Sequence, residues 1–186
     1  SDSDAWYGKA NLFAIKKLDE KRTWQLGINY NGNRTFLPDV PLPLISYTER
    51  ASEEFRYTIG LPISTLTWQP ADRLTVEASY LPTIDVTARV SYRLTGKLHL
   101  FGRYTSRNEA FHPEDFDEDR RLFYEQRRLE AGLRITPTPA ETGEVVLAGG
   151  YGFDREVSRG WDTRDLDTVR DLSDEPYLRA ALKLQF

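Results

Sequence analysis

His99 and His112 are the only histidines, and the chain has no cysteine and no methionine. Thiolate metal sites, disulfide frameworks and cysteine nucleophiles are therefore excluded. His99 falls in an alternating stretch and reads as a hydrogen-bonding residue rather than a general base. His112 stands near Glu114 and Asp115, a grouping that imitates an acid–base pair, but adjacent loop residues meet by coincidence unless a fold orients them. Neither histidine has a partner at ligand spacing, so no zinc site is indicated. Asp115, Asp117 and Asp119 offer oxygens to calcium but lack the glycine and distal glutamate of an EF-hand loop. The reading is of no catalytic residue, no metal and no cofactor, hence of a protein that is not an enzyme.

Of 186 residues, 29% are charged and the net charge is −4. These numbers argue against nucleic acid as a partner, because phosphate binding needs a concentrated basic face and the Lys and Arg here are dispersed. Residues 107–120 carry six acids against two Arg, and residues 154–175 carry eight against four. Such runs read as solvated loop surface. The longest uncharged run, residues 57–71, holds fifteen residues and is broken by Pro62 and Pro70. A membrane-spanning helix needs about 20 mostly apolar residues, so any crossing has to be made by strands.

Alternation with a period of two dominates from Trp24 onward and means strands with two different faces. Trp24, Leu26, Ile28 and Tyr30 oppose Thr23, Gln25, Gly27 and Asn29. Ile84, Val86, Ala88, Val90 and Tyr92 oppose Asp85, Thr87, Arg89, Ser91 and Arg93. The same split recurs at residues 74–80, 98–105, 128–135, 145–153 and 178–186. In residues 55–68 the apolar parity slips, and a bulge near residues 62–65 is expected. The first strand, about residues 4–17, is apolar on both parities. Trp6, Gly8, Ala10, Leu12 and Ala14 are assigned outward and Tyr7, Lys9 and Asn11 inward.

Either face can be the buried one: a soluble sandwich turns the apolar face into its core, whereas a membrane barrel turns it outward. The aromatic residues decide for the barrel. Trp24, Tyr30, Phe55, Tyr57, Trp68, Tyr80, Tyr92, Tyr104, Tyr151 and Phe153 sit near strand ends with aliphatic residues between, as in two interfacial girdles. Connections at residues 19–22, 69–73, 95–97 and 136–143 are short, those at 31–52, 107–120 and 154–176 are long, and a tight turn falls at 81–83. Nine strands result, with every long loop on one side. The expected fold is all-β, an antiparallel up-and-down transmembrane β-barrel with about nine strands in residues 1–186 and ten or more when complete. The odd count implies an upstream segment bearing a signal peptide and a further strand, or a partner chain at the open edge.

The end of the chain, Tyr177-Leu-Arg-Ala-Ala-Leu-Lys-Leu-Gln-Phe186, resembles the terminal assembly signal of Gram-negative outer-membrane β-barrel proteins. Leu178, Ala180, Leu182, Leu184 and Phe186 fit its alternating apolar pattern, and the glycine often found there is absent. The resemblance implies location in the cell outer membrane, contact with outer-membrane lipid, and recognition by the barrel assembly machinery.

The inward face then holds Arg56, Glu77, Asp85, Arg89, Arg93, His99, Arg103, Arg128, Glu130, Arg134 and Lys183. Two roles stay open: a structural network that fills a small lumen, or a narrow, Arg-lined, anion-preferring path. Residues 36–47 form an apolar, proline-punctuated loop that either covers the mouth, enters the lumen or docks on another protein chain. The expected function is structural, as a complex subunit, or that of a narrow pore. The alternative is a soluble lipocalin-like barrel or β-sandwich enclosing an apolar ligand or binding a protein partner.

Overall fold

The computed structural model describes residues 8–82, 85–111, 120–136 and 143–184. Among them there is no helix, and twelve strands follow one another: β1 (Lys9–Lys17), β2 (Arg22–Asn31), β3 (Leu42–Arg50), β4 (Phe55–Leu61), β5 (Ser64–Ala71), β6 (Leu74–Leu81), β7 (Asp85–Arg93), β8 (Leu98–Phe111), β9 (Arg121–Ile135), β10 (Gly143–Gly160), β11 (Asp167–Leu172) and β12 (Glu175–Leu184). They form one antiparallel up-and-down sheet in chain order, with β12 also beside β10. No ladder joins β1 to β12 among the described residues, so the sheet is not closed.

Twelve strands rather than nine arise from three local events. Pro38, Pro41 and Pro43 made residues 31–52 look like a loop, yet β3 occupies their second half. Pro43 lies opposite Ile28 of β2, while β4 pairs β3 only from Ile45 onward. The missing N–H thus falls where β3 has a single neighbour, the position in which proline is tolerated. The expected bulge at residues 62–65 is instead a reversal between β4 and β5. A bulge and a two-residue turn both move the apolar parity by one, so alternation alone cannot separate them. Lastly, β10 continues to Gly160 and β11 returns beside it. β11 pairs the upper part of β10 and β12 the lower part, as two halves of one return path. Arg155 spans the interruption, donating to Ser173 O at 2.9 Å and pairing with Glu175 at 2.8 Å.

The long-loop rim also changes character. β8 runs to Phe111 and β9 starts at Arg121, so residues 107–111 are wall rather than loop. The same rim carries a short turn at residues 62–63 between β4 and β5, so short connections are not confined to the other rim.

Directly paired residues of antiparallel strands share a face, which lets each face be traced around the sheet. Tyr57, Leu66, Ala78, Ala88, Tyr104, Leu129 and Tyr151 follow one another on the apolar face. In β1, Ala10, Leu12 and Ala14 pair with Tyr30, Ile28 and Leu26 and share that face, as expected. Phe13 and Ile15 lie on the other, so β1 is apolar on both. Trp6, Tyr7 and Ile84 lie outside the described residues.

Burial is inverted relative to a water-soluble sheet. Ile28 is 52% exposed and Leu182 66%, whereas Phe101 is 3% and Glu130 5% exposed. The sheet curls with its polar face concave, and its small apolar core, Phe101, Val146 and Ala148, lies on that same side.

Candidate functional site on the concave face

One row of cross-strand neighbours carries most of the site. Arg56, Thr67, Glu77, Arg89, Arg103, Glu130, Gly150 and Tyr177 pair in that order from β4 to β12. Glu130 is the tightest point. Its carboxylate accepts Arg179 Nε and a terminal guanidinium nitrogen, both at 2.8 Å, pairs with Arg103 at 3.0 Å, and accepts the Tyr177 hydroxyl at 3.4 Å. Two-point contact with arginine fixes the direction as well as the charge. Arg179 reaches it across β10 because Gly150 stands between them: a Cβ there would lie 2.5 Å from Tyr177 Cζ and 2.7 Å from Leu129 O.

Around this tie the arginines are held by aromatic rings, by acids or by backbone. Arg89 lies 5.0 Å over the Phe101 ring and Arg128 5.6 Å over Tyr177, cation–π contacts that keep a guanidinium in place without neutralising it. Arg128 also donates to Gln126 Oε1 at 2.8 Å. Asp85 takes Arg107 Nε at 3.2 Å and the Thr87 hydroxyl at 3.0 Å. Arg93 donates to Asp72 O at 2.6 Å. Lys183 stands opposite Glu144, and His99 opposite both Arg93 and Arg134. Arg56 and Glu77 are exposed on the open part of the curl.

The expected inward residues thus lie on one face, but only some are brought together. Arg103 meets Glu130, and Glu77 faces Arg89 across the ladder. Sequence reasoning left Arg179, Tyr177 and Arg107 out of the network. Parity would have found all three, since Tyr177 and Arg179 share theirs with Lys183, and Arg107 shares its own with Arg103.

Two hollows open on this face. The larger, about 310 Å³, is lined by Thr87, Arg103, Thr105, Arg107, Glu109, Gln126 and Arg128. The smaller, about 160 Å³, includes Ser91, Arg93, His99 and Arg134. Buried Nε atoms of Arg89, Arg103 and Arg134 and the Ser91 hydroxyl have no hydrogen-bond partner.

The aromatic residues of the apolar face gather in one band rather than in the expected two. Near the short-turn rim, Tyr47 links Trp24 at 5.2 Å to Tyr57 at 6.4 Å, and Phe55 lies 5.8 Å from Tyr57. Trp68, paired with Phe55, and Tyr92, paired with Leu74, continue this band. Tyr47 was missed because it was placed in the loop at residues 36–47. Toward the other rim stand Tyr30 and Tyr80, whereas Tyr104, Tyr151 and Phe153, expected near strand ends, lie near the middle of β8 and β10, because those strands run on past the points where loops were expected. Leu178, Ala180 and Leu182 pair with Gly149, Leu147 and Val145 on the apolar face. Phe186, His112, Glu114 and the acids at 115, 117 and 119 lie outside the described residues, as does the side chain of Leu184.

At the long-loop rim, residues 32–41 and 161–166 clasp each other. Thr163 N donates to Thr35 O at 3.0 Å and Leu37 N to Asp162 Oδ2 at 3.4 Å. Arg121 donates to Arg34 O at 3.0 Å and to Trp161 O at 2.9 Å. The first half of the apolar stretch at residues 36–47 is therefore tied to the rim, and its second half is wall. No family model, curated protein or solved structure matches this chain.

Proposed function

We propose that the chain forms the wall of an outer-membrane β-barrel, apolar face to lipid and arginine-rich face to the lumen, with a structural role or one as a subunit of a larger complex. The observation that carries this reading is the inverted burial: Leu26, Ile59, Leu129 and Leu147 are each more than half exposed while Glu130 is buried. In water so large an apolar face is a liability or an interface; in lipid it is the required exterior. The aromatic residues gathered near the short-turn rim support the same reading, and eight of the twelve strands have nine or more residues, where a tilted crossing needs about 9–11. β1 and β12, as flank strands, need their free backbone groups covered in lipid, either by each other, by a further strand or by another chain. The terminal pattern at Leu178, Ala180 and Leu182 favours delivery by the barrel assembly machinery.

Two arms test the proposal together. Retention in the outer-membrane fraction, with migration in detergent that shifts on heating, is the expected result. Recovery in the aqueous fraction with migration unaffected by heat would overturn it in favour of the soluble lipocalin-like or sandwich reading. A narrow pore is the second role, favoured by the hollows along the concave face and the excess of arginine there.

A further inference from the structure

On the concave side of β7, β8 and β9, six arginines, Arg89, Arg93, Arg103, Arg107, Arg128 and Arg134, face three carboxylates, Asp85, Glu109 and Glu130. The three acids are already engaged: Glu130 by Arg103 and Arg179, Asp85 by Arg107, and Glu109 by Arg107 at 3.3 Å. Among the described residues, Arg89, Arg128 and Arg134 have no carboxylate within 4.0 Å. Positive charge therefore exceeds what the wall itself neutralises, in a chain whose net charge is −4.

That surplus borders the 310 Å³ hollow. Its donors are three guanidiniums, the Thr105 hydroxyl and the Gln126 amide, the Thr87 hydroxyl being given to Asp85, with Glu109 the one acid in the lining, held by Arg107. Arg103 pairs with Glu130 through a terminal guanidinium nitrogen, and its buried Nε has no hydrogen-bond partner among the described residues. Arg128, on the opposite lip, is fixed by the Tyr177 ring and Gln126 rather than by charge. Guanidinium pairs match the oxygens of phosphate in two-point contacts, and a cluster of them selects an anion with several acceptor oxygens over a halide. Water occupies about 30 Å³ per molecule in the liquid, so the hollow has the volume of several waters, enough for a diphosphate or a small phosphate ester.

We infer that this hollow is a binding site for a water-borne, phosphate-bearing anion, held between Arg103, Arg107 and Arg128 with Thr105 as a hydroxyl donor. This deepens the polar-lumen reading but does not depend on membrane insertion, because the hollow is built on the face turned away from the apolar bands.

The test is calorimetric titration of the full chain in detergent with inorganic pyrophosphate. Saturable binding is expected for the native sequence, weakened at least tenfold in Arg128→Gln and unchanged in Arg50→Gln, a position that shares the face of its cross-strand partner on β4 but does not line the hollow. Arg128→Lys keeps the charge but loses the planar fork, and is expected to fall between them; it also serves if Arg128→Gln misfolds, as judged by circular dichroism. Absence of saturable heat from a chain whose migration still shifts on heating would overturn the site and leave the barrel standing. Binding without heat-shifted migration would leave the site and overturn the barrel. Equal weakening in Arg50→Gln, or displacement of pyrophosphate by phosphatidic acid in the micelle, would also overturn the assignment to this hollow and to a water-borne ligand.

Discussion

Asp162 is 1% exposed, and its carboxylate accepts three hydrogen bonds from the Arg164 guanidinium at 2.5 to 3.0 Å. The Arg164 N–H at 2.8 Å and Leu37 N at 3.4 Å complete the set. These bonds, the Arg164 side chain above all, hold its pKa below the ordinary aspartate value of 3.8. A depressed folded-state pKa adds stability that is complete above the unfolded value and disappears as pH falls through the folded one. The clasp between residues 32–41 and 161–166 is therefore expected to stay shut at neutral pH and down to about pH 4, and to loosen only in stronger acid. Limited proteolysis of the rim across that range reads the change directly. Asp162→Asn, which keeps one acceptor oxygen but loses the charge that holds Arg164, should expose residues 33–40 to cleavage already at neutral pH.

Among the elements, β10 has the strictest requirement. Gly150 leaves the gap through which Tyr177 and Arg179 reach Glu130, and a side chain there meets Leu129 backbone as well as the tyrosine ring. Gly102 on the opposite face has nothing within 4 Å of an added Cβ. Gly150→Val is expected to lower the temperature of the heat-induced migration shift, by the equivalent of about 1–3 kcal/mol, while Gly102→Ala leaves it nearly unchanged. Residues 74–80, 86–92, 98–104, 129–135 and 145–153 of β6 to β10 were legible in sequence because one apolar parity persists through each of those stretches, and parity also placed Ala10, Leu12 and Ala14. What alternation could not show was where a strand reverses or continues. Pro43 looked like a loop residue because proline's cost depends on whether a neighbour is present on that side, which is a property of the sheet. The tie at Glu130 was half legible: the acid and Arg103 lie on adjacent strands, but Arg179 lies two strands away and becomes a partner only through the missing side chain at Gly150.

At the scale of the molecule, the direction of the apolar face is the claim on which the membrane reading rests. Leu147 sits on that face, 51% exposed, between Leu133 and Ala180. Leu147→Arg is expected to destabilise the chain in lipid vesicles by about 2–4 kcal/mol, the cost of a cation near the bilayer midplane. Were the face in water, the same change would stay within about 0.5 kcal/mol; urea unfolding in vesicles distinguishes the two. The clasp at the long-loop rim adds a mechanical asymmetry. It ties the loop after β2 to the loop after β10, near opposite flanks of the sheet, while no comparable bond among the described residues joins those flanks at the other rim. A sheet fastened along one edge opens like a cone, so unrolling must begin at the short-turn end, and a strand inserted into the seam would enter there and zip toward the fastened edge.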